Sequence, residues 1–69
     1  MHINYNDRTD LLYLRLDLQT QDVINQEVAE GIVVDIGKNN RIVGIEIMDA
    51  SKRMDLNGIL PLQYDRKAA

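Results

Sequence analysis

Cysteine is absent from this chain, and histidine occurs once, as His2. No disulfide can staple it, and a structural zinc site, which wants four Cys or His ligands, has almost nothing to draw on. Phe and Trp are missing too, and Tyr occurs three times. The apolar content is instead aliphatic, with eight Ile, eight Leu and five Val. β-branched residues suit pleated, half-buried strands. No apolar run approaches the ~20 residues needed to cross a bilayer. The opening Met1-His2-Ile3-Asn4-Tyr5 has neither the basic start nor the apolar stretch of a signal peptide, so a cytoplasmic location is the expectation. Positive charge is also scarce: 8 Lys and Arg stand against 11 Asp and Glu, a net charge of −3. That balance works against nucleic acid, where neutralising phosphates supplies most of the affinity, and against anionic membrane surfaces. Neither is expected as a partner.

What is present reads as one small domain over all 69 residues, with no repeat, low-complexity tract or linker. A chain of this size buries only about 60% of the surface it exposes when unfolded. Its core supplies roughly 3–5 kcal/mol unless a disulfide, a metal or a partner adds to it. With the first two set aside, association with another chain is the remaining route to extra stability.

Period-two alternation carries the fold. Ile3–Tyr5 is a short first strand, followed by turn chemistry in Asn6-Asp7-Arg8-Thr9. From Leu11 to Leu18 the residues Leu12, Leu14, Leu16 and Leu18 point one way and Tyr13, Arg15 and Asp17 the other, the mark of a strand with one buried face. Gln19-Thr20-Gln21-Asp22 is a polar connection to a weaker strand, Val23–Ala29. Glu30-Gly31 is a tight reversal, since Gly adopts positive φ without steric cost. Ile32–Ile36 follows, then a turn at Gly37-Lys38-Asn39-Asn40, where Asn tolerates the left-handed region. Arg41–Met48 is a fifth strand, with Val43, Ile45 and Ile47 inward. Asp49 is placed to N-cap a helical segment, Ala50–Met54, whose Lys52 and Arg53 lie near the negative end of its dipole. Gly58 suits a position past the helix end. Ile59–Tyr64 is apolar and extended, with Pro61 confining it to an edge or an arm.

The short connections imply antiparallel neighbours. The expected fold is α+β, mainly β: an antiparallel five-stranded β-meander with one short C-terminal helix, its core in residues 1–54 and residues 55–69 a C-terminal extension and candidate dimer arm. Leu12, Leu14, Leu16, Val34, Ile45 and Ile47 are expected in the core. The second face also carries Leu11, Val23, Val33, Ile42 and Met48. A sheet with so little helix to cover it meets another sheet, and a symmetric dimer is the simplest source of one.

Two stretches resemble a known family. Tyr5-Asn6-Asp7-Arg8-Thr9-Asp10-Leu11-Leu12-Tyr13-Leu14-Arg15-Leu16 is similar to the opening motif of domain of unknown function 2283, a family of small bacterial and archaeal proteins. Glu27-Val28-Ala29-Glu30-Gly31-Ile32-Val33-Val34-Asp35, continuing through Arg41–Arg53, resembles its second half. The run Gly44-Ile45-Glu46-Ile47-Met48-Asp49-Ala50-Ser51 is the most specific part. Together they cover about residues 1–54. The departures fall in turns: Asn6 where the family usually has Asp, Asp7-Arg8 for Pro-Glu, and Asn40 for a frequent Gly. The resemblance implies a free-standing small protein with no agreed activity, and a partner or antitoxin-like role toward another small protein.

Candidate chemistry is sparse. Asp7, Asp10, Asp35, Glu46 and Asp49 could serve acid–base work or bind a divalent cation, but the calcium-loop spacing is absent. Turn and capping roles are the commoner use of such Asp residues. His2 near the start is expected to be solvated, Ser51 is an ordinary helix-start serine, and Gly31, Gly37 and Gly44 are too scattered for a phosphate loop. Lys38, Arg41, Lys52 and Arg53 offer a small basic patch for an acidic partner. Tyr13 and Arg15 share a face and are residue types enriched at interface hot spots; with Lys52 and Arg53 they form the candidate interaction surface. The expectation is a homodimeric, non-catalytic protein-interaction module without cofactor or metal. The alternative is a small enzyme or ligand-binding protein whose acidic site, built from Asp10 and Glu46, forms at the dimer interface.

Overall fold

A computed structural model describes residues 1–58 of the chain. Five strands, β1 (His2–Asn6), β2 (Leu11–Arg15), β3 (Ile24–Ala29), β4 (Ile32–Ile36) and β5 (Ile42–Ile47), form one antiparallel sheet in the order β1-β2-β5-β4-β3. Among the described residues a single α-helix, α1 (Ala50–Arg53), follows, and then a 3₁₀ turn at Leu56–Gly58. The expected extended segment Ile59–Tyr64, and with it the candidate dimer arm, lies outside the described residues.

The strand order departs from a sequential meander at one point. β2 pairs with β5 rather than with β3, so β2 to β5 trace a Greek key in reverse chain direction. The connection from residue 16 to residue 23 makes this feasible. At ~3.3 Å per residue its eight residues reach ~26 Å, ample for three strand spacings of ~4.8 Å each. Composition alone marks Gln19–Asp22 only as a polar connection, but side chains here pin the crossover. Asp17, buried, accepts Arg41 Nε at 2.7 Å and the Gln19 amide at 3.0 Å. Gln21 Oε1 accepts the Lys38 amide at 3.3 Å.

The β3–β4 and β4–β5 hairpins behave as their residues dictate. β3 and β4 turn at Glu30-Gly31, with Gly31 at φ 79°. The β4–β5 connection includes Asn39 and Asn40, both left-handed at φ 58° and 59°. A bulge at Asp35–Ile36 brings Ile42 opposite Ile36, onto the side where the simple alternation places Val43, Ile45 and Ile47.

Register divides the sheet into an apolar and a polar side. Ile3, Leu14, Ile45 and Val34 lie in one cross-strand row, and Tyr5, Leu12, Ile47 and Ile32 in the next. Leu12, Ile47 and Ala50 form the buried cluster, with Ile3, Tyr5, Leu14, Ile45, Met54 and Leu56 packed around it. Of the expected core, Leu12 and Ile47 are buried and Leu14, Val34 and Ile45 half-buried. Leu16 is 41% exposed and Leu18 67%. The alternation ran on past the end of the strand: the Leu16 and Asp17 amides both donate to the Val43 carbonyl, and the chain leaves the sheet there.

The helix start also differs from expectation. Asp49 is left-handed at φ 54° and its side chain caps nothing. The capping acceptor is Asp10, which follows β1 in sequence and lies in the turn before β2. Its carbonyl takes the Ala50 amide at 3.0 Å and its carboxylate takes the Ser51 amide at 3.0 Å.

Candidate interaction surface

The helical segment covers only one end of the apolar side. At the other end, Ile24, Ile36 and Ile42 form a cross-strand row beyond Val34 and Ile45. Ile24 is 72% exposed and Ile42 51%. Leu16, held to Val43 by its amide, borders this row. β3 is a sheet edge whose residues are all exposed, including Val28. The chain thus leaves a contiguous strip of aliphatic side chains in water. A groove of about 410 Å³, lined by Gln21, Asp22, Val23, Ile24, Ile36, Gly37 and Lys38, continues the strip past the sheet's end.

The polar side is organised around Asp35. Tyr13 reaches across Gly44 to donate its hydroxyl to Asp35 Oδ2 at 3.2 Å, and Asn25 Nδ2 donates to Oδ1 at 2.5 Å. Gly44 is needed here, because a Cβ at that position would lie 2.5 Å from the Tyr13 oxygen. Glu46 sits between Tyr13 and Val33 in the ladder. Partial burial, and then the neighbouring Asp35 carboxylate, push its carboxyl above the usual glutamate value. Arg15 points along the crossover, with Nε donating to the Asp17 carbonyl at 2.6 Å and Nη2 to the Gln19 carbonyl at 3.1 Å. Tyr13 and Arg15 are therefore both half-buried and engaged within their own chain.

The remaining candidates lie around the helix. Asp10 accepts Ser51 Oγ at 2.7 Å and Tyr5 Oη at 2.8 Å besides the Ser51 amide. The bonds from Ser51 hold its carboxyl below the usual aspartate range. Arg53 clasps the β3–β4 turn, donating Nη2 to the Glu30 carbonyl at 2.5 Å beside Gly31. Lys52 is exposed. Within one chain Asp10 and Glu46 stay apart, Asp10 bonded at the helix end of the apolar side and Glu46 on the polar side. His2 lies exposed on β1 opposite Arg15. Among the described residues no group of three or more His, Asp or Glu is placed to hold a metal ion, and no helix is long and apolar enough to cross a membrane.

A family described as a protein of unknown function, DUF2283, matches residues 2–51. The chain belongs to that family. No curated protein and no solved structure matches it. The DUF2283 span takes in all five strands, and it closes on Ser51, so it contains both partners of the Asp10–Ser51 clamp. Lys52 and Arg53 fall just beyond it.

Sequence reading missed Asp17, Asn25 and Gln21 as structural residues. Their partners are 24, 10 and 17 positions away in sequence, and nothing local announces such pairs. Only the polar interruptions at Asn25 and Gln21, in or beside a strand, hinted that those side chains had specific bonds to make.

Proposed function

We propose that this DUF2283 chain is a small non-catalytic protein-interaction module that works as a homodimer. One observation carries the reading. Among the described residues only Leu12, Val43, Ile47 and Ala50 are buried hydrophobics, while Leu16, Ile24 and Ile42 stand exposed together at one end of the sheet. Contiguous apolar strips of this kind mark association surfaces, and so short a chain gains stability by burying one. The polar residues support the same reading. Asp10 serves the helix, Asp17 the crossover and Asp35 the hydroxyl and amide above it, so the carboxylates have structural partners.

Self-association makes stability depend on protomer concentration. Thermal melts at about 1 and 100 μM should therefore differ, with the higher concentration melting several degrees later. A midpoint independent of concentration over that range would contradict the proposal.

A further inference from the structure

We infer that the second copy packs face to face on the open end of the apolar side, over Leu16, Ile36, Ile42 and Ile24, with a two-fold axis through that strip. The inference rests on the homodimer reading and adds its geometry. Layer thickness is the first support. α1 and Leu56 already form a second layer over Leu12 and Ile47, and a helix with its side chains is ~10 Å across, the same as the ~10 Å between packed sheets. A partner sheet laid over the open end continues that layer without a step. The helix in turn confines the partner to the end it leaves free.

The chemistry of the strip is the second support. The strip itself is Leu and Ile, flanked on β3 by Gln26, with no charge among them to select a partner of opposite sign, so a copy of the same strip is its match across a two-fold. The groove beside Ile24 and Ile36 gives that contact relief, since it offers a socket for an aliphatic side chain from the other copy. Four strands at ~4.8 Å by three or four residues at ~3.3 Å give an area per copy of a few hundred Å². That is below the ~800 Å² per partner of a standard interface, which places the dimer among weak, transient contacts.

Sedimentation velocity and circular dichroism on the full chain and two variants test this. Ile42→Lys puts a charge into the centre of the proposed contact at an exposed position, so the fold should persist while association weakens more than tenfold. Glu27→Lys alters the same free edge of β3 from the polar side, where Glu27 pairs with Val33, and should leave the dimer intact. If Ile42→Lys loses the native spectrum, Leu16→Lys, outside the regular strands, carries the same test. A folded Ile42→Lys or Leu16→Lys variant that dimerises like the wild type overturns the face-to-face geometry but leaves the homodimer reading standing. Dissociation by Glu27→Lys alone would overturn it in favour of edge pairing. A monomeric wild type at tens of micromolar would overturn both.

Discussion

Leu12 and Leu16 belong to one alternating run and have opposite fates. Leu12 is 1% exposed, wedged between Tyr5 and Ile47 and under Ala50, whereas Leu16 sits past the end of β2. Leu12→Ala should cost about 2–5 kcal/mol, the usual range for a buried leucine, which is enough to unfold most of a domain this size. Leu16→Ala in the isolated protomer should cost less than about 1 kcal/mol. Chemical denaturation at sub-micromolar concentration separates the two, and equal losses would mean that the strand continues through Leu16. Period two showed which side of β2 is apolar but could not show where the strand stops. That depends on the Val43 carbonyl, supplied by another strand. Glu46 gives a second test at this scale. Its folded pKa is raised, so the ionised form opposes folding at neutral pH and this cost disappears as pH falls through the folded value. Glu46→Gln should raise the thermal midpoint at pH 7 and change it little at pH 4. An equal gain at both would assign the effect to packing instead.

The elements are joined by polar contacts of long sequence separation. α1 has only four residues, too few to be stable alone, and its start is held by Asp10 from the turn before β2. The folded pKa of Asp10 lies below its unfolded value. Its stabilisation is therefore complete above ~3.9, the unfolded value, and is lost as pH falls through the folded one. Asp10→Asn keeps a side chain that tolerates the left-handed φ of 58° and removes the charge. The variant should melt below the wild type at pH 7, and the difference should narrow as the pH falls below the unfolded value. A constant gap would show that the charge is not what Ser51 needs. Every strand was legible within a residue or two except β2. The Greek-key order was not, because the pinning of the crossover by Asp17–Arg41 and Gln21–Lys38 joins segments that no local pattern links. Asp49 carried the local signal for a cap; Asp10 does the capping because the sheet brings it to the helix.

At the scale of the molecule, the described residues close a core at one end of the sheet and at the other bury Val43 while Leu16, Ile24 and Ile42 stay exposed. Composition already implied a shortage of cover, and the structure locates it at Leu16, Ile24, Ile36 and Ile42. The candidate surface of Tyr13, Arg15, Lys52 and Arg53 reads differently once folded, with Tyr13, Arg15 and Arg53 each bonded within the chain. Residue type had suggested an interface, but side chains that bridge strands and turns have the same composition. The central claim is that the open end is covered by a second copy, and sedimentation equilibrium of the full chain tests it most directly. At tens of micromolar in physiological salt, the account predicts a mass approaching twice the 7.9 kDa of one chain, falling toward the single-chain value on dilution. A mass that stays at 7.9 kDa throughout that range would contradict it.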